Sequence, residues 1–151
     1  MKRSHLLLPL LAILFAACSP GIPAEVETTA MQELEIIANG INELDGIHYE
    51  WDQLNAARTE SVALNESETA ALDAAAWCVS LEFVARVNFA GTQEDWGDRV
   101  MVARVVQSEA GDFQGQILSP DIEDGTPIEE AAEIQWQYCL DSPPPSEAPA
   151  S

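Results

Sequence analysis

The residues of this chain that could carry acid–base chemistry lie close together in residues 47–52. His48 is followed by Glu50 and Asp52, so an imidazole stands near two carboxylates in one short segment. Such a group could act as a general base, but a Ser-His-Asp arrangement also needs a serine, and no motif marks one. We therefore assign no catalytic residue and expect His48 to be an exposed or packing histidine between two secondary-structure elements.

Metal-binding patterns are weak in this sequence. A zinc site needs several histidine and cysteine ligands, and the chain has only two histidines and three cysteines. Two acidic segments, 94–98 and 121–125, offer oxygen ligands, but neither has the spacing of an EF-hand loop. We therefore expect no metal site and no cofactor.

The first eighteen residues have the three parts of an export signal. Lys2 and Arg3 are basic, residues 6–15 form an almost wholly apolar core, and Ala16-Ala17-Cys18 places small residues directly before a cysteine. This N-terminus resembles the lipobox of bacterial lipoprotein precursors, in which signal peptidase II cleaves before a cysteine that carries diacylglycerol. The resemblance covers residues 1–18 and implies that Cys18 is lipidated.

Two other interpretations of the N-terminus are weaker. An uncleaved membrane anchor takes about 20 apolar residues, and the apolar run here extends only over residues 6–17. A simple secreted protein would need small residues on both sides of an A-x-A-like site, where this chain has Phe15. The lipoprotein resemblance also implies sorting to the outer membrane, facing the periplasm, because Ser19 rather than aspartate follows the cysteine.

Four segments follow from these patterns. The lipid would hold the mature chain at the membrane, and proline-rich ends suit a spacer and a disordered tail. The predicted organisation is a signal peptide at 1–17, a lipidated tether at 18–24, a single globular domain at 25–141 and a disordered proline-rich tail at 142–151.

Two cysteines remain once Cys18 is assigned to lipid. Cys78 and Cys139 form an even pair, and the periplasm is an oxidising compartment in which such pairs are usually bridged. We therefore expect a Cys78–Cys139 disulfide, with two buried free thiols as the alternative. In the chain-entropy model a bridge across so long a loop stabilises the fold by about 4 kcal/mol.

The chain is strongly acidic. It has 26 acidic and six basic residues, and loss of Lys2 and Arg3 with the signal changes the formal net charge from −20 to −22. Nucleic acids and anionic lipid headgroups are therefore disfavoured as partners, because binding to them depends on lysine and arginine. The acidity predicts solubility, and it leaves open a basic partner or divalent cations.

Apolar spacing favours an all-α domain. Segments 31–44, 50–58, 65–90 and 92–110 place apolar residues three and four positions apart, as amphipathic helices do. Asn65 and Glu68 resemble a capping box, and Thr92 could cap the next helix. Thr126 and Pro127 predict an N-cap and first turn for a last helix. We therefore predict a small helical bundle with one disulfide, joining a central helix at Cys78 to the last helix at Cys139.

An α+β domain is the alternative. Residues 79–89 and 133–140 also alternate with a period of two, which is a strand pattern. In that version N-terminal helices accompany a small antiparallel sheet, in which residues 100–106 pair with 113–118. Helix remains our prediction, because a switch from helix to strand within 65–90 would need a turn, and no Gly or Pro occurs there.

The sequence predicts a location more directly than an activity. We expect a lipid-anchored, periplasm-facing accessory or interaction lipoprotein of the cell envelope, with the membrane and an envelope protein as partners and no nucleic acid. The alternatives are an envelope enzyme or small-ligand binder that uses carboxylates with His48, and cation binding by the acidic surface.

Overall fold

Each strand of this protein pairs with the next strand along the chain, and the resulting antiparallel sheet of order β1-β2-β3-β4 lies between two helices. The computed structural model describes residues 21–44, 46–62 and 75–142. The fold is therefore α+β, and the predicted all-α helical bundle is wrong. Its elements are α1 (Ala24–Asn42), β1 (Ile47–Val62), β2 (Ala76–Phe89), β3 (Thr92–Gln107), β4 (Phe113–Leu118) and α2 (Ile128–Asp141).

Strand β2 explains why the helical prediction failed. Its residues alternate between the two faces of the sheet, and the odd positions from Val79 to Val87 are all buried in the core shared with α1. The period-two pattern was therefore the correct signal. The absence of Gly or Pro was misleading, because β2 begins at Ala76, inside the segment predicted to be one helix.

Helix α1 covers the first face of the sheet, and it confirms the helix predicted near the N-terminus. It buries one stripe at four-residue spacing, Val26, Ala30, Leu34 and Ala38. Its last residue, Asn42, forms two hydrogen bonds with β1. The Asn42 side-chain amide accepts one from the Tyr49 backbone N–H and donates one to the Tyr49 carbonyl. Helix α1 therefore runs antiparallel to β1.

Helix α2 lies on the second face and confirms the predicted last helix. Trp136 and Cys139 are buried there against Cys78, Val102 and Leu118. Cys78 and Cys139 lie at disulfide distance, with Cα atoms 6.0 Å apart, so the expected pairing agrees with the structure. The bridge joins a strand to a helix, whereas we predicted that it would join two helices.

The start of α2 differs in detail from the predicted cap. Pro127 occupies the N-cap position with φ −55°. The Thr126 hydroxyl instead donates to the Glu123 carbonyl at 2.7 Å, within the preceding turn. Thr126 therefore stabilises the turn that precedes α2 and does not cap the helix.

The two hairpins after β2 replace a predicted helix. Ala90 and Gly91 have φ values of +50° and +85°, as a two-residue turn that matches the twist of its strands requires. Thr92 then begins β3 and caps no helix. Val102–Gln107 pairs with Phe113–Leu118. This pairing nearly matches that of residues 100–106 with 113–118 in the α+β alternative.

Strand β1 replaces the short helix predicted at 50–58. Its pairing with β2 shifts register between Asp52 and Asn55, where Gln53 has a positive φ of 53°. This bulge bends the strand locally and leaves Asp52 partly exposed.

Several predictions fall on residues outside the described ranges. They are the signal peptide, lipidation at Cys18, the capping box at 65–68 and the tail beyond residue 142. Within the described ranges, neither helix combines the length and the apolar character that crossing a membrane takes.

Candidate functional site

Strand geometry brings the acid–base residues of the sequence to one face of the sheet. His48, Glu50 and Asp52 alternate along β1, so their side chains project to the same side, and they oppose Asn88, Arg86 and Val84 of β2. This is the face on which α2 packs. From Glu82 onward, however, the β2 side chains on this side are exposed or only partly buried.

A shallow depression forms in this uncovered half. It has a volume of about 300 Å³ and is lined by Glu50, Trp51, Asp52, Val84 and Arg86. Arg86 Nη2 donates to Asp52 Oδ2 at 3.3 Å. The other carboxylate oxygen, Oδ1, is buried and has no hydrogen-bond partner among the described residues. The depression is therefore a charged site around one ion pair.

His48 lies at the exposed rim of this face. Its Nε2 is 3.2 Å from Glu50 Oε1, and both side chains are more than half exposed. Solvent screens such a pair, so it is weak, and the imidazole itself is open to water because its side chain is 60% exposed. The prediction of an exposed or packing histidine is consistent with this position, although His48 lies within β1 and not between two elements.

Sequence reasoning missed Arg86, the basic member of the depression. The signal was present in the alternation of β2, which places Arg86 on the face opposite the buried Ala85 and Val87. Because we expected this segment to be helical, we did not connect Arg86 to the carboxylates of residues 47–52.

Other candidate ligands have local partners. Asp95 accepts a hydrogen bond from the Gly97 N–H at 3.0 Å, and Glu94 accepts one from Trp96 Nε1 at 3.2 Å. Over the described ranges, no three His, Cys, Asp or Glu side chains are grouped so that they could hold a metal ion. Segment 94–98 lies within β3, so its acids are spread along a strand.

An exposed apolar region lies at the end of the sheet formed by the β2–β3 turn. Leu44, Phe89 and Trp96 are 56%, 60% and 43% exposed. Phe89 pairs with Ile47, and the Ile47 N–H donates to the Leu44 carbonyl, so Leu44 and Phe89 are neighbours at this end. Large apolar side chains grouped in this way often mark an interaction surface.

Trp96 is anchored by two ring interactions. It meets Tyr49 edge-on at 6.4 Å between centroids, and the Arg99 guanidinium lies 5.8 Å above its ring. Burial raises the pKa of the Tyr49 hydroxyl above 10.0, and the nearby Arg99 charge offsets part of that rise. Trp96 is therefore held against the α1 side of the sheet while nearly half of it stays in water.

The apolar end lies far from the start of the domain. Helix α1 has 19 residues, so it extends about 28 Å at 1.5 Å per residue. Its N-terminal part contacts the end of β1, where the Thr59 hydroxyl bonds to Glu27, and its last residue bonds to Tyr49 near the start of β1. The apolar end is therefore opposite the end at which the chain enters α1.

Comparison with known proteins identified no relatives. No protein-family model, curated protein or solved structure matches this chain.

Proposed function

We propose that this chain is a lipid-anchored, periplasm-facing interaction lipoprotein of the cell envelope that binds an envelope protein without catalysing a reaction. The observation that carries the proposal is Ala16-Ala17-Cys18 after a basic and an apolar segment, which resembles a lipobox. Helix α1 begins at Ala24, only six residues after Cys18. A lipid on Cys18 would therefore hold the domain close to the membrane surface.

The arrangement of the domain supports an interaction role. Its apolar end is opposite the tethered end of α1, so anchoring would direct Leu44, Phe89 and Trp96 away from the membrane. The acid–base residues, by contrast, lie in a shallow, solvent-exposed depression, which offers little of the water exclusion on which most catalysis depends. A membrane tether at one end of the domain and an exposed apolar region at the other fit a protein that presents a binding surface to a partner.

Mass spectrometry of the native protein tests the anchoring. The N-terminal peptide of protein extracted from membranes should begin at Cys18 and carry the mass of diacylglycerol and an amide-linked acyl chain. Cys18→Ser should leave an uncleaved precursor without that mass. An unmodified mature protein in the soluble periplasmic fraction would contradict the proposal.

A small-ligand site is the second candidate, and the buried Asp52 Oδ1 atom is the observation that favours it. A ligand with a hydrogen-bond donor could satisfy this oxygen while Arg86 holds the other one. Asp52→Asn and His48→Ala should leave capture of a protein partner unchanged if the depression is not used. If both variants fail to capture the protein partner, the depression would be favoured over the apolar end as the binding surface.

A further inference from the structure

The sheet extends beyond the end of the helix that covers it. Helix α1 ends at Asn42, which bonds to Tyr49, and Tyr49 lies opposite Val87. The β1–β2 ladder continues for two more residues beyond this level, to the pair of Ile47 and Phe89. Phe89 continues the alternation of β2, so its side chain projects on the α1 side of the sheet, beyond the last residue of α1. It is 60% exposed there.

Trp96 lies beside this uncovered part of the sheet and is held in place on several sides. Its Nε1 donates to Glu94 Oε2 at 3.2 Å, its ring meets Tyr49 edge-on, and the Arg99 guanidinium lies over it. The ring is nevertheless 43% exposed. An aromatic side chain that is fixed before binding loses little conformational entropy on binding, and tryptophan is frequent among the residues that dominate binding energies. Trp96 therefore has the properties of an anchor for a partner.

Helix α2 brings the C-terminal segment to the opposite end of the sheet. Gln135 of this helix bonds to the β3 residue that pairs with Ser80. One turn later, Cys139 is bridged to Cys78, so α2 runs towards the start of β2. The end of β2 is eleven residues beyond Cys78, which is about 36 Å at 3.3 Å per residue. The nine residues 143–151 span at most about 32 Å, so they do not reach the apolar end.

Two other segments outside the described ranges are also too short to cover the apolar end. Segment 63–74 connects Val62 to the start of β2, and its twelve residues reach outward by at most about 22 Å. Val62 pairs with Ala76, thirteen residues from the end of β2, which is about 43 Å. Residues 18–23 span at most about 22 Å, and α1 separates them from the apolar end by about 28 Å. The apolar end is therefore open to a second molecule.

Exposed carboxylates border the apolar end. Glu43 directly precedes Leu44, and Glu94 lies two residues from Trp96. Arg99, the first base along β3, lies five residues further from the β2–β3 turn than Glu94 does. A molecule that approaches the apolar end over this turn therefore meets carboxylates first.

Charge selects the occupant of the apolar end. A second copy would bind through the same surface on both chains, which would bring Glu43 and Glu94 towards their own counterparts. The net charge of each chain is strongly negative, so the two copies would repel each other. A protein segment in which lysines or arginines flank apolar residues has no such conflict, because it can cover Leu44 and Phe89 while its bases approach the carboxylates.

We propose that the apolar end binds an apolar segment of an envelope protein that is flanked by lysines or arginines. Its apolar side chains pack on Leu44, Phe89 and the fixed ring of Trp96, while its bases meet Glu43 and Glu94. This inference rests on the proposed function, and it names the chemistry of the partner.

Peptide binding to the full mature chain, followed by nuclear magnetic resonance, tests the proposal. The probe is a synthetic peptide in which pairs of leucine alternate with pairs of lysine. It should shift the Trp96 indole N–H and the Phe89 backbone N–H signals in a saturable way. One comparison peptide has glutamate at every lysine position and another has serine at every leucine position, and both should bind at least about tenfold more weakly. Equal binding by either comparison peptide, or saturable binding without these two shifts, would overturn the proposal.

Substitutions at the apolar end provide matched variants. Phe89→Ser should weaken binding of the leucine–lysine peptide about tenfold, whereas Tyr138→Ser should not, because Tyr138 is 44% exposed on α2. Leu44→Ser should also weaken binding, and it covers the case in which Phe89→Ser fails to fold. Glu94→Gln keeps an oxygen for the indole N–H and should weaken binding about threefold, whereas Glu129→Gln on α2 should have no effect. Equal effects at positions 89 and 138 would overturn the proposal.

The two proposals can fail separately. Peptide binding by a chain with unmodified Cys18 would refute the anchoring and support the inference about the partner. A lipidated Cys18 without peptide binding would support the anchoring and refute that inference.

Discussion

At the scale of single residues, Arg58 connects β1 to α2. Its guanidinium lies 3.9 Å from the centroid of the Trp136 ring, and its Nη1 is 3.5 Å from Glu133 Oε2. Trp136 is buried, so the cation–π contact is partly shielded from solvent. The Glu133 carboxylate, by contrast, is more than half exposed. The ring contact should therefore contribute more than the ion pair.

Arg58→Met should lower the free energy of unfolding by about 1 kcal/mol, because it removes the cation from the Trp136 ring. Glu133→Gln should cost less, since an exposed ion pair contributes little. Arg58→Lys is the matched control, which keeps the charge but loses the planar group, and its cost should lie between the two. Urea unfolding measures all three, and an equal cost for Glu133→Gln would show that the ion pair dominates.

Tyr49 should make the stability depend on pH in the alkaline range. Its pKa in the folded protein is raised above 10.0 by burial, so the neutral hydroxyl stabilises the fold. This contribution is complete below the unfolded pKa of about 10 and is lost as the pH rises through the folded pKa. Tyr49→Phe should therefore flatten the decline in stability above about pH 10. An unchanged slope would contradict this assignment.

Arg99 gives a second test of the same hydroxyl. Its positive charge lowers the pKa of Tyr49 against the effect of burial, so Arg99→Met should raise that pKa further. Ultraviolet absorbance of the ionised tyrosine follows the titration. A pKa that falls on removal of Arg99 would be incompatible with the described geometry.

At the scale of elements, Gly115 sets the distance between α1 and β4. A Cβ at this position would lie 3.2 Å from Thr29 Cγ2 and 3.3 Å from Glu33 Cδ, and closer still to Glu33 Cγ. Gly115→Val should therefore lower the free energy of unfolding by about 1–3 kcal/mol through overpacking. Gln114→Val, at the exposed neighbouring position, should change it much less.

Glu33→Ala should relieve part of the Gly115→Val penalty, because it removes the side chain that crowds position 115. A double-mutant cycle in urea measures this coupling. Strict additivity of the two substitutions would mean that α1 does not pack against β4 at Gly115.

The helices and strands were predictable to different degrees. Both helices show apolar periodicity or start signals that the structure confirms, since Leu34 is buried, Met31 and Ile41 pack against the core, and α2 begins beside Pro127. The strand β2 was misassigned although residues 79–89 alternate with a period of two, because no Gly or Pro separates this strand from the residues before it. The strand begins within an unpunctuated segment, so the lack of a turn residue was not evidence for one continuous helix.

The candidate site was predictable only in part. His48, Glu50 and Asp52 could be singled out because they are neighbours in the chain. Their partner Arg86 is 34 residues from Asp52, and only the antiparallel pairing of β1 with β2 brings them together.

At the scale of the whole molecule, the proposed anchor lies at one end of the domain and the proposed binding surface lies towards the other. The anchor is an interpretation of Cys18, and the surface is the apolar end that contains Leu44, Phe89 and Trp96. The acidic charge is consistent with both parts, because it disfavours anionic lipid and self-association while favouring a basic partner. The central claim is therefore that a membrane-tethered copy of this protein binds an envelope protein through the apolar end of its domain.

Photocrosslinking in cells tests that claim most directly. A benzophenone amino acid replaces Phe89 at the apolar end of the full chain, and a second variant carries it at Tyr138, which is exposed on α2. We predict one adduct from position 89, with lipidated Cys18 at the N-terminus and the crosslink mapped by mass spectrometry to an envelope protein. Position 138 should give none. Equal adducts from both positions, no adduct from position 89, or an unlipidated chain would contradict that claim.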